Sequence, residues 1–180
     1  FQAGDGIRGY AVTGVQTCLF RSRNFLYPVK VRRSGQTFLV KFPDLPEALT
    51  EGATREEAME NAFDCLEEAV ASRIAGHEDI PKPGFLKDGF APAVALSALM
   101  SAKAALYLAR REAGLSNVQL AKRLGLDERQ VRRLQDPATS SRLPEIERAI
   151  DALGQRLEVR LVSKAPNKKA AAPAKRRAVG

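Results

Sequence analysis

The hydrophobic pattern changes period along the chain, and the changes set out its elements. FLYPVKVRR, Phe25 to Arg33, and TFLVKF, Thr37 to Phe42, are rich in β-formers, and the intervening SGQ supplies a turn, so a hairpin is predicted. Two strands cannot stand alone in water and need a covering face. Pro43 and Pro46 should end the second strand, with Ala48 to Glu51 adding a short extended piece before Gly52 breaks it. A helix is predicted from Thr54, because Thr54 and Glu57 have capping-box spacing and Ala58, Ala62, Leu66, Ala69 or Val70, and Ile74 recur on one face. Glu56, Glu60, Asp64, Glu67 and Glu68 fall mostly off that face. Gly76 is the expected stop, with His77 beyond it in a structural role at the helix end. Cys65 is expected to be a small packed residue.

IPKPG, Ile80 to Gly84, and the GFLKDGFAP that follows have the composition of a linker or exposed excursion. The apolar tract from Ala91 to Ala109 is long enough to span a membrane, but Lys103, Ser97 and Ser101 interrupt it and Pro92 lies near its start. A buried strand followed by an amphipathic helix explains the same residues, so no membrane is expected. Leu99, Ala102, Leu106 and Ala109 form the predicted stripe of that helix, and Gly114 lies past its end.

LSNVQLAKRLGLDERQVRRL, Leu115 to Leu134, then repeats one construction twice. Ser116 with Gln119, and Asp127 with Gln130, have capping-box spacing; Leu115 with Leu120, and Leu126 with Val131, are the flanking staples. Gly125 joins the two short helices, and Leu120, Ala121, Leu124, Leu126, Val131 and Leu134 occupy the positions that a helix-turn-helix unit buries. Pro144 and Gly154 frame a further helix, Glu145 to Leu153. In QRLEVRLV, Gln155 to Val162, Leu157, Val159 and Leu161 alternate with Arg156, Glu158 and Arg160, so a strand is predicted. A solitary strand needs a partner, and pairing with its copy would make a homodimer or higher oligomer.

Charge changes the picture. The 180 residues carry a formal +8, yet positions 43 to 79 hold eleven acids against two bases. Positions 103 to 136 hold eight bases against four acids, and 163 to 180 hold six bases and no acid. Such asymmetry suggests one cationic and one anionic partner. Two cysteines without a CxxC pair and a single histidine point away from a disulfide framework or a zinc site, and no cofactor is expected. A reducing cytoplasm is the expected compartment. AVTGVQTCLFRS, Ala11 to Ser22, looks like translated adapter sequence, so residues 1–23 are set aside as a non-native leader.

For the anionic partner, Glu128, Arg129, Arg132 and Arg133 share the face opposite Val131 and Leu134, with Gln130 beside them. Arginine bonds a guanine edge bidentately, so this face can enter a major groove. Ser116 and Asn117, opening the preceding helix, are placed to meet a phosphate. The basic, Ala/Pro-rich tail 163–180 is expected to be disordered and to add salt-sensitive attraction. For the cationic partner the candidates are Asp44, Glu47, Glu56, Glu60, Asp64 and Glu67. A metal-dependent nuclease would need converging carboxylates; Phe25 to Arg33 contains no acid, and Asp44 and Glu47 stand beside prolines, so no catalytic residue is assigned.

FLVKFPDLPEALTEGATREEAMENA, Phe38 to Ala62, with its PDLP, TEGAT and EEAMENA in order, resembles the HicB family of bacterial antitoxins over about Tyr27 to Gly84. ARREAGLSNVQLAKRLGLDERQVRRLQDP is similar to the DNA-binding part of the family's helix-turn-helix members, over about Ser101 to Val162. The resemblance implies a small, incomplete ribonuclease-H-like domain that blocks HicA, a basic RNA-cleaving toxin, and a second domain that binds operator DNA. The expected fold is therefore α+β: residues 24–84 as a β-hairpin/helix toxin-binding domain, 85–98 as linker and short strand, and 99–162 as an all-α helix-turn-helix domain ending in a short strand. The rival reading is a stand-alone transcriptional regulator whose first domain senses a small ligand.

Overall fold

The computed structural model describes residues 25–84 and 92–159; the expectations for 1–23, for the linker over 85–91, for 160–162 and for the tail lie outside them. The architecture is α+β, with five strands and five helices among the described residues.

Phe25 to Arg33 does not form one strand. It divides at Val29 into β1 (Leu26–Pro28) and β2 (Lys30–Ser34), because its two halves have different partners. β2 pairs antiparallel with β3 (Thr37–Phe42), from Lys30 opposite Lys41 to Ser34 opposite Thr37, around Gly35 at φ 61°. β1 pairs antiparallel with β5 (Ala93–Ala95), the short strand expected within 85–98, but the pairing joins segments far apart in sequence and no local pattern reveals it. Val29 N donates to Pro92 O at 2.9 Å where the chain passes from one sheet to the other.

Pro46 does not end a strand either: it lies inside β4 (Leu45–Gly52). β4 is an edge strand, and its register with β3 shifts between Lys41 and Phe42, so the missing proline N–H falls where the ladder is already irregular. Gly52 then lets the chain pass over the next helix: a Cβ there would stand 2.4 Å from Ala58 N.

α1 (Arg55–Ala75) buries the expected stripe of Ala58, Ala62, Leu66, Ala69, Val70 and Ile74 against this sheet. Thr54 Oγ1 accepts from Glu57 N at 3.1 Å, but the Glu57 carboxylate reaches past the cap to Ala53 N, 2.8 Å away. Gly76 is the C-cap in right-handed conformation, φ −76°, and the left-handed residue is His77 at φ 58°. His77 N and Glu78 N donate to Ile74 O and Arg73 O, so the helix closes as a Schellman motif with histidine in the place glycine favours.

α2 (Ala98–Glu112), capped by Ser97, packs into both hydrophobic cores. Met100, Ala104 and Tyr107 join Tyr27, Leu66, Val70, Val94 and Leu96 in the first. Ala102 and Leu106 join Leu120, Leu124, Val131, Leu134, Ile146 and Ile150 in the second. Val94 and Leu96, in the stretch expected as linker and strand, thus belong to the first core. Leu99, expected in the buried stripe, is 40% exposed, because the helix turns that side outward. The second core is closed by α3 (Asn117–Leu124), α4 (Glu128–Gln135) and α5 (Leu143–Asp151).

Residues 155–159 form no strand. Gly154 at φ 73° turns the chain back, Gln155 N donates to Ile150 O at 3.3 Å, and Leu157 packs half-buried on the second core, while Val159 remains 70% exposed. Contact with α5 replaces the alternation that two sheet faces would require. Among the described residues, no helix is long and apolar enough to cross a membrane.

Candidate functional site

Two surfaces carry the predicted residues. On the first, both capping boxes form: Ser116 Oγ accepts from Gln119 N at 3.2 Å while Gln119 Oε1 accepts from Ser116 N at 2.8 Å. Asp127 Oδ1 accepts from Gln130 N at 2.7 Å, and Gln130 Oε1 from Asp127 N at 3.1 Å. Gly125 at φ 66° makes the turn, closed by Leu126 N donating to Ala121 O at 3.0 Å. Leu120, Ala121, Leu124, Val131 and Leu134 are buried as expected, and Leu126 half-buried.

These contacts leave the other side of α4 in solvent. Arg129, Gln130, Arg132 and Arg133 are exposed, and Glu128 is partly so. Arg132 Nη2 pairs with Glu128 Oε1 at 2.5 Å, one helical turn away. The guanidinium groups of Arg129 and Arg133 bond no described residue. Gln130 spends its carbonyl oxygen on the cap, which leaves its amide nitrogen to donate outward. Ser116 retains its hydroxyl hydrogen.

Behind this face lies a polar support that sequence reasoning missed. Gln135 is 5% exposed: its Oε1 accepts from Arg110 Nε at 2.9 Å, and its Nε2 donates to Asn117 Oδ1 at 3.0 Å and Val131 O at 3.3 Å. Arg110 Nη1 also donates to Leu115 O at 2.7 Å. Lys103, 1% exposed, donates to Asp136 O at 2.5 Å and to Thr139 O, fastening α2 to the end of α4. Burial pushes the Lys103 pKa down, against the attraction of Asp136. A lysine inside an otherwise apolar tract was the available signal for Lys103; Gln135, one polar residue among many, offered none.

The second surface is acidic, and its six candidates divide. Asp44 Oδ2 accepts from Gly84 N at 2.9 Å, and Glu67 Oε1 from Ser97 N at 2.8 Å at the start of α2. Glu47 pairs with Arg73 Nε at 2.5 Å, and that hydrogen bond holds the Glu47 carboxyl below its ordinary pKa. Glu56, Glu60 and Asp64 are exposed and bond no described residue. Glu60 and Asp64 rim a shallow groove with Met59 and Phe63, and β5 forms the facing wall. The structure therefore brings Glu60 and Asp64 together, while Asp44, Glu47 and Glu67 hold the chain in place. Among the described residues, no three His, Cys, Asp or Glu side chains are grouped to hold a metal ion.

Fold and surfaces together define a small α+β protein with one acidic face and one arginine-bearing helix. Residues 26–105 match the family described as HicB_like antitoxin of bacterial toxin-antitoxin system. Antitoxin HicB 2 of Photorhabdus laumondii is 36% identical over 138 residues, covering 77% of this chain and 97% of that protein. Antitoxin HicB of Pseudomonas fluorescens is 32% identical over 74% and 91% of the two chains, and Antitoxin HicB of Escherichia coli K12 31% identical over 76% and 99%. The chain belongs to the HicB-like antitoxin family.

Proposed function

We propose that this protein neutralises a HicA-like mRNA-cleaving toxin with its acidic N-terminal half and represses its own operon by binding operator DNA through α3 and α4, in the bacterial cytoplasm. It acts by binding, without catalysis. The observation that carries the reading is the exposure of Arg129, Arg132 and Arg133 along one side of a helix whose start, turn and neighbour are each fixed by capping bonds. A rigid helix presenting guanidinium groups suits entry into a major groove. Arg129, Arg133 and the amide of Gln130 would meet base edges; Ser116 and Asn117 would meet the backbone, and Glu128 would restrain Arg132. Opposite potentials on the acidic half would speed encounter with a protein built to hold RNA. A homodimer or higher oligomer would supply the twofold symmetry that spaced half-sites require.

Co-expression with the product of a small reading frame beside this gene, followed by gel filtration and binding to the promoter fragment, tests both halves. One complex that retains the small protein and shifts the promoter DNA is expected. A chain that binds the promoter but no neighbouring product would instead support a stand-alone regulator.

A further inference from the structure

Among the described residues, β5 is bonded on one side only. Its register places Tyr27 opposite Val94, with Val29 N donating to Pro92 O and Leu96 N to Phe25 O, so positions 92, 94 and 96 face β1. Antiparallel alternation turns the N–H and C=O groups of Ala93 and Ala95 the other way, where no described residue bonds them. Along this edge runs the groove of Met59, Glu60, Phe63 and Asp64. Phe63 is 38% exposed there and Met59 partly so.

An open strand edge beside an apolar groove has the form that strand addition uses: main-chain bonds supply affinity and the neighbouring groove selects side chains. Charge decides the occupant. A second copy of this chain would bring its own acidic face towards Glu60 and Asp64, and juxtaposed like charges are costly. A cationic segment would be complementary. We infer that the outer edge of β5 receives an extended segment of a basic protein partner, with an apolar side chain between Met59 and Phe63 and lysine or arginine against Glu60 and Asp64. This rests on the reading that the acidic half binds a cationic toxin, and adds where and how that toxin docks.

The test is amide hydrogen exchange on the full chain, alone and co-purified with the product of the adjacent small reading frame. Exchange at Ala93 and Ala95 is expected to slow at least about tenfold in the complex, as for amides entering a hydrogen-bonded ladder. Glu60→Lys with Asp64→Lys should weaken the complex at least about tenfold, whereas Glu147→Lys on the exposed side of α5 should leave it unchanged. A complex that forms without protecting Ala93 and Ala95 overturns the docking mode and leaves the toxin-binding reading standing. Failure of the unmodified chain to retain the product overturns both. Protection that grows with concentration of the chain alone would assign the edge to a second copy and overturn the proposal.

Discussion

Gln135 Nε2 donates to Asn117 Oδ1 at 3.0 Å, which turns the Asn117 amide nitrogen away from the core at the start of α3. A buried residue at the end of one helix thereby sets the donor at the beginning of another. Gln135→Leu would leave Arg110 Nε and Asn117 Oδ1 without that partner. An unfolding free energy lower by about 1–3 kcal/mol is expected, read from urea denaturation. An unchanged midpoint would show that water replaces the lost bonds.

Two glycines should respond differently to alanine. At Gly52 the new Cβ would lie 2.4 Å from Ala58 N and 2.8 Å from Ala58 Cα, both backbone atoms that cannot yield without moving α1 off the sheet. At Gly125, φ 66°, nothing lies within 4 Å and only backbone strain opposes the change. Gly125→Ala should cost about 1–2 kcal/mol, and Gly52→Ala clearly more. Equal thermal shifts would contradict this ordering.

For DNA binding, Arg129→Ala or Arg133→Ala should lose about 1–3 kcal/mol on the promoter fragment and relax preference at one base pair. Arg132→Ala should lose less, because its guanidinium is already paired with Glu128. Glu128→Gln should accordingly strengthen binding and steepen its salt dependence, since Arg132 becomes free for phosphate. Fluorescence anisotropy across a salt series distinguishes these outcomes. Equal losses on random DNA would restrict Arg129 and Arg133 to backbone contacts.

Tyr27 supplies a pH dependence. Its ring is fully buried and its hydroxyl donates to Pro81 O at 2.8 Å. Burial, aided by the nearby charge of Asp44, pushes its pKa from 10.0 up to about 12. The raised folded value means that the unfolded chain loses the proton first. This contribution is fully present below pH 10 and is lost as pH rises towards 12, amounting to about 2–3 kcal/mol. The stability difference between the unmodified chain and Tyr27→Phe should shrink over that window; a constant difference would show that the phenol is not shielded.

Legibility in the sequence followed the range of the forces. The capping boxes at Ser116 and Asp127 and the left-handed Gly125 depend on three or four neighbouring residues, and all were readable. The α1 stripe was readable because one face meets one sheet. The division of the first strand at Val29 was not, since the partner of its first half is β5. Pro46 reads locally as a terminator, because a local pattern does not say which strand is an edge. Among the six acids, composition could not separate Glu60 and Asp64 from Asp44, Glu47 and Glu67, which meet Gly84, Arg73 and Ser97 only once the chain folds.

The double allegiance of α2 bears on how such chains can be recombined. Met100, Ala104 and Tyr107 must suit one half and Ala102 and Leu106 the other, while Lys103 grips the loop after α4. A crossover inside this helix would join mismatched surfaces, so if α4 reads DNA as proposed, a change of DNA preference should come from changes on the outer side of α4, leaving the shared helix with its original neighbours.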